Sequence, residues 1–210
     1  MGKKLNFYFD FLSPYSYLAW KRIKEYDYDV EYIPVVLSKI IKSYDTKGPA
    51  EIDPKRNFLM KDLLRKCKEN KIPFCPPGKL PFNSLYALRF SLKGVSGDNQ
   101  KNLIDMFFKT SWGEGGDIDS EEAVKSLLER NGLTNFEQLL EKSSTKEARI
   151  ELKNNITSAL KEGVFGVPSI VVDEELFWGV ESLDHLELYL QGKDLLPYNE
   201  YQNFLESYQN

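Results

Sequence analysis

Thiols are almost missing from this chain. Its 210 residues include two cysteines, Cys67 and Cys75. They are too few for a disulfide framework and too far apart for a Cys-x-x-Cys pair. Dithiol exchange needs one thiolate to attack and a second to resolve, so that chemistry is disfavoured. Both read as incidental thiols, Cys67 on a helix and Cys75 in a proline-rich loop. The single histidine, His185, leaves zinc without its usual ligand set. It also leaves a serine nucleophile without a base, since His185 falls on a closing helix where partial exposure is expected. The net charge is −4, and no lysine–arginine cluster interleaved with aromatics offers a surface to nucleic acid. No apolar run is long enough to span a membrane. The start, Met1-Gly2-Lys3-Lys4-Leu5, lacks the apolar core and cleavage site of a signal peptide. A cytoplasmic protein with no nucleic-acid, membrane or metal partner is expected.

What is present is concentrated at the N-terminus. Phe7-Tyr8-Phe9-Asp10-Phe11 reads as a buried strand that breaks at Ser13-Pro14 and continues as a helix. Ser13 is placed to cap that helix, with Pro14 in the first turn, where a missing N–H costs nothing. Capping alone is one role for Ser13. The other is to hold an anionic sulfur, because a hydroxyl at a helix N-terminus beside a central strand favours negative charge.

The rest of the chain orders itself around this segment. Leu5–Phe11, Pro14 to about Tyr26 and Val30–Leu37 read as strand, helix, strand, which favours a parallel βαβ unit. Residues 42–54 read as a loop. The middle is helical: a stripe of Phe58, Leu59, Leu63, Leu64 and Cys67, then Leu85, Leu88 and Leu92, then Leu103, Ile104, Phe107 and Phe108. Asp119 with Glu122, Thr134 with Glu137, and Ser144 with Glu147 have the spacing of caps that open three more helices. The first of these stops at Asn131-Gly132. Ser169–Val172 and Leu176–Trp178 then flank a hairpin turn, and Ser182 to about Leu190 is the closing helix. The expected fold is α/β, a βαβ…ββα core with a large all-helical insertion. Residues 1–45 and 156–210 would form the core domain and 46–155 the insertion.

A second segment stands out. In Gly163-Val164-Phe165-Gly166-Val167-Pro168-Ser169 a proline sits at the mouth of a strand, where it removes a ladder donor. A cis Val167–Pro168 bond would explain it and would expose the Val167 backbone for strand-like pairing with an extended peptide. A trans proline opening an edge strand is the other reading.

Three ordered motifs then coincide: Phe-x-Ser-Pro-Tyr-Ser-Tyr-Leu-Ala at 11–19, Pro-Phe-Asn-Ser-Leu-x-Ala-Leu-Arg at 81–89, and Gly-Val-Phe-Gly-Val-Pro-Ser at 163–169 followed by Phe-Trp-Gly at 177–179. From Leu5 to about Leu190 the chain resembles the 2-hydroxychromene-2-carboxylate isomerases, relatives of kappa-class glutathione transferases within the DsbA-like thioredoxin-fold group. The resemblance implies a thioredoxin-like core and glutathione as cofactor. Ser13 would stabilise its thiolate and Val167 beside cis-Pro168 would pair with its cysteinyl backbone. Trp178, Gly179, Val180, Glu181 and Ser182 would receive its γ-glutamyl end, with Glu181 facing the ammonium and helix N-terminal N–H groups near Ser182 the carboxylate. Where the family usually has Gly-x-Asp-Arg, this chain has Gly-Val-Glu-Ser. Lys42, Asn83, Tyr15 and Tyr17 are implied contacts for a small aromatic carboxylate or electrophile. The reaction implied is a glutathione-assisted cis–trans isomerisation of such a carboxylate by a homodimer. Conjugation of an electrophile, as in a kappa transferase, and a non-catalytic binding protein are the alternatives.

Overall fold

Side-chain alternation along the first strand sets the layers. In the computed structural model, which describes residues 3–133, 136–196 and 198–208, β1 spans Lys4–Phe9. Leu5, Phe7 and Phe9 face one core and Tyr8 faces a second on the opposite side of the sheet, the period of two that a strand buried on both faces requires. After α1 (Pro14–Ile23), β2 (Asp29–Pro34) lies parallel to β1, with Lys4 opposite Asp29 and Phe9 opposite Pro34. β3 (Ser169–Val172) and β4 (Glu175–Trp178) complete a sheet of order β2-β1-β3-β4, both pairings antiparallel. The hairpin between them turns on Asp173 and Glu174, both in the left-handed region at φ 51° and 70°, the pairing of two positive φ values that suits a two-residue hairpin.

Between β2 and β3 lie α2 (Leu37–Ser43), α3 (Asp53–Glu69), α4 (Leu85–Phe90), α5 (Lys93–Ser96), α6 (Gln100–Phe108), α7 (Glu121–Arg130), α8 (Phe136–Ser144) and α9 (Lys146–Lys161). After the sheet come α10 (Ser182–Leu190) and α11 (Tyr198–Tyr208). The order is the expected α/β, thioredoxin-like core interrupted by helices. Aromatic packing welds the two: Phe11 lies 4.7 Å from Phe108 and 5.5 Å from Phe107, and Phe9 lies 5.7 Å from Phe108.

Several local expectations are corrected. The run Val30–Leu37 is not all strand, since β2 ends at Pro34 and α2 begins at Leu37, and residues 42–54 hold the end of α2, a 3₁₀ turn at Pro49–Glu51 and the start of α3. In α3 only Leu59, Leu63 and Cys67 are buried; Phe58 and Leu64 are 64% and 48% exposed, because four-residue spacing keeps to one face and they lie off it. Leu92 falls between α4 and α5. The cap of α7 is Ser120, which accepts from Ala123 N at 3.1 Å, and that of α9 is Thr145, which accepts from Ala148 N at 3.2 Å; Asp119 and Ser144 are each one residue early. The expected cap Thr134 lies outside the described residues. No helix among the described residues is long and apolar enough to cross a membrane.

Candidate functional site

Ser13 is built as the sequence implies and is tied to more than its own helix. It is the N-cap of α1, in an extended conformation, 5% exposed, and its Oγ accepts from Ser16 N at 3.2 Å. The same hydroxyl donates across the sheet to Val167 O at 3.3 Å. The Val167–Pro168 bond is cis, and β3 is an inner strand paired on both sides, so the edge-strand reading is set aside. No hydrogen bond among the described residues reaches the Val167 N–H, which leaves a backbone donor free beside a hydroxyl.

Two branches run from Ser13 and meet again. One passes through Val167 and Pro168 to the β4–α10 turn: Gly179, at φ 86°, donates its N–H to Pro168 O at 3.0 Å and accepts from Ser182 Oγ at 3.0 Å. A side chain at Gly166 would meet Trp178 Nε1 at 2.9 Å, so the missing Cβ there lets the indole lie against the proline loop. The other branch leaves through Tyr15, whose hydroxyl donates to Asp62 Oδ2 at 2.7 Å. Lys66, one turn further along α3, lies 3.1 Å from Asp62 Oδ1 and 2.8 Å from Glu181 Oε1. Glu181 precedes Ser182, and the circuit is closed.

The electrostatics follow from these contacts. Burial works against the charge on Asp62, but the Tyr15 hydroxyl and Lys66 outweigh it and hold the carboxyl below its usual range. Glu181, with Asp62, raises Lys66 above its ordinary value. Burial first, then Asp62, raises Tyr15, which stays a protonated donor at neutral pH. Beneath the loop, Asp10 is 1% exposed and accepts from Leu12 N at 2.9 Å and Leu37 N at 2.8 Å. Burial pushes its carboxyl up, partly offset by those donors and by Ser84.

Of the residues singled out from sequence, Ser13, Tyr15, Val167, Pro168, Trp178, Gly179, Glu181 and Ser182 are gathered around this circuit, and Val180 packs half-buried against the main core. Tyr17 lies in that core at 1% exposure, its hydroxyl donating to Pro73 O at 2.6 Å, and burial pushes its pKa up to about 12. Lys42 is exposed on α2, and Asn83 is exposed ahead of α4, its Oδ1 accepting from Leu85 N. A cavity of about 290 Å³ lies elsewhere, lined by residues such as Pro77, Phe82 and Ile118, and includes none of the circuit. His185 is exposed. Cys67 is buried, which raises its thiol pKa, and Cys75 is exposed. No group of metal-ligating side chains occurs among the described residues.

Sequence reasoning assigned no role to Asp10, Asp62 or Lys66. Asp10 had a signal, as the lone charge between Leu5 and Trp20. So did Asp62 and Lys66, an acid and a base four apart on a helix.

The fold and the circuit together define a thioredoxin-fold protein with serine where a redox cysteine would cap α1. The model for the DSBA-like thioredoxin domain matches residues 4–191, and the chain belongs to that family. It is 29% identical over 196 residues to a 2-hydroxychromene-2-carboxylate isomerase of Sphingobium xenophagum, covering 90% of this chain and 99% of the relative. It is 26% identical over 215 residues to glutathione S-transferase kappa 1 of Caenorhabditis elegans, covering 92% and 93%. A solved structure of a 2-hydroxychromene-2-carboxylate isomerase superposes with a TM-score of 0.79 at 25% identity, covering 90% of this chain and 94% of the other. The resemblance read from the three motifs is borne out.

Proposed function

We propose that the protein is a glutathione-dependent cis–trans isomerase of an aromatic-derived carboxylate, of the 2-hydroxychromene-2-carboxylate kind, in which Ser13 stabilises the cofactor thiolate. The observation that carries this reading is the Ser13 hydroxyl, poised at the N-terminus of α1 and against Val167 O, beside a free Val167 N–H. Glutathione is a short peptide with a thiol and a zwitterionic end, and the circuit offers a partner for each part. The Val167 backbone suits strand-like pairing with the cysteinyl residue. Ser13 and the α1 N-terminus favour thiolate over thiol. Glu181 suits the ammonium of the charged end.

When bound, glutathione supplies a thiolate that adds to the conjugated system and leaves unchanged once the double bond is trans. The protein's part is binding and charge. Ser13 turns its O–H from Val167 O toward the sulfur while still accepting from Ser16 N. Tyr15, kept protonated, gives its one O–H to Asp62 and so ties α3 to the first turn of α1. Lys42 and Asn83 are the proposed contacts for the substrate carboxylate, by pairing and by hydrogen bonding. The likeness to a kappa transferase supports a second outcome at the same site, conjugation to an electrophile, which product analysis separates from isomerisation. A cytoplasmic homodimer belongs to the same reading, with a sedimenting mass about twice the 24.3 kDa of the chain.

The test is an ultraviolet difference titration with glutathione at neutral pH. A thiolate band is expected in the wild type and absent in Ser13→Ala, whose fold should lose only about 1 kcal/mol, the scale of a cap. An equal band in both proteins removes Ser13 from the role. No band at millimolar glutathione in the wild type overturns the cofactor assignment.

A further inference from the structure

Lys66 has no assigned part in binding, yet it is the cation at the centre of the circuit. Its side chain is 22% exposed and lies between Asp62, 19% exposed, and Glu181, 69% exposed. An ammonium has three donors, and two of them are directed at these carboxylates. One N–H is left, on a side chain open enough to meet a ligand. The charges are also unequal: two carboxylates contact one ammonium, and Arg65, whose charge acts on Asp62, forms no ion pair with either among the described residues, so Glu181 keeps charge to spare. Asp62 is held in place by Tyr15, in the first turn of α1 next to Ser13. Glu181, although at the N-cap of α10, makes no capping bond and turns its carboxylate to Lys66 instead.

A site with one spare negative charge and one spare cationic donor matches an α-amino-acid zwitterion. Its ammonium would answer the excess charge at Glu181, and its carboxylate would take the remaining Lys66 N–H. We infer that Lys66 is the residue that selects the α-carboxylate of the γ-glutamyl end, Asp62 and Tyr15 positioning it from behind. This rests on the glutathione reading above. It makes Lys66 a specificity determinant for γ-glutamyl thiols over cysteinylglycine-type thiols that lack an α-carboxylate.

The experiment compares two thiols by the same thiolate band: glutathione, and 4-aminobutyryl-cysteinylglycine, which keeps the amine and lacks the α-carboxylate. The wild type should bind glutathione at least about tenfold more tightly, the scale of one charge-assisted hydrogen bond. In Lys66→Met that preference should vanish through weaker glutathione binding, with the affinity for the analogue unchanged, and Lys66→Arg should restore most of it. Equal weakening for both thiols in Lys66→Met would mean a purely structural role and overturn the inference. So would an undiminished preference. A wild type that shows no band with either thiol overturns the glutathione reading itself and this inference with it.

Discussion

Asp10 shows how much one side chain can organise. It sits at the end of β1, and its two carboxylate oxygens accept from Leu12 N in the loop before Ser13 and from Leu37 N at the start of α2. Its own carbonyl accepts from Ser13 N at 3.0 Å. Three segments around the site are thus pinned to one residue. An asparagine would supply one acceptor where two are used and set an N–H against a backbone N–H, so Asp10→Asn should cost about 1–3 kcal/mol. The pH dependence follows from the direction of the shift. The folded carboxyl binds its proton more tightly than the unfolded one, so Asp10 contributes most below the unfolded pKa and progressively less as pH rises through the raised folded pKa. Urea unfolding from about pH 4 to about pH 7 should therefore show the gap between wild type and Asp10→Asn narrowing with pH; a widening gap would reverse the assignment. Ser13 was legible in the sequence because its helix, cap and proline are consecutive. Lys66 was not, because its meaning depends on Glu181, over a hundred residues away.

Secondary structure repeats the lesson on a larger scale. Helices closed by their own neighbours could be read, as with the stop at Gly132, which has φ 72°. α2 and α5 could not. Val36, the N-cap of α2, has no capping side chain, and the Leu37 N–H is satisfied by Asp10. In α5 the Gly94 N–H donates to Glu151 Oε1 of α9 at 3.1 Å. Caps supplied across the fold leave no local pattern. Where two adjacent hydroxyls compete, as at Ser144 and Thr145, spacing cannot choose, but geometry can: Thr145 Oγ1 accepts from Ala148 N, while Ser144 Oγ donates back to Leu140 O at 3.1 Å. Thr145→Ala should cost about 1 kcal/mol, and Ser144→Ala should stay within about 0.5 kcal/mol of wild type. Denaturant midpoints of the two variants test this, and equal losses would return the cap to Ser144.

At the scale of the whole molecule, the division expected from the sequence, 1–45 with 156–210 and 46–155, falls within α9 (Lys146–Lys161), and the packing runs across it. One core joins Leu5, Phe7, Phe9 and Phe11 of the sheet side to Phe107, Phe108, Val124 and Leu139 of the inserted helices. Polar contacts cross the same seam: Trp112 Nε1 donates to the buried Phe11 O at 2.7 Å, and the buried Trp20 donates its Nε1–H to the partly exposed Asp105 Oδ1 at 2.8 Å. Phe11 is two residues from Ser13, so the inserted helices hold the loop that carries the site. Separating the two parts would expose stacked aromatics on both and exchange the Trp112–Phe11 hydrogen bond for water, the latter alone costing about 1 kcal/mol. A partly unfolded form that keeps the sheet and loses the helices is therefore unfavourable, and the molecule should open as one unit. Native-state hydrogen exchange should give amides of β1 and α6 the same opening free energy and the same denaturant dependence. If α6 opened at markedly lower free energy than β1, the two parts would be separate cooperative units, and the serine site would rest on the sheet alone.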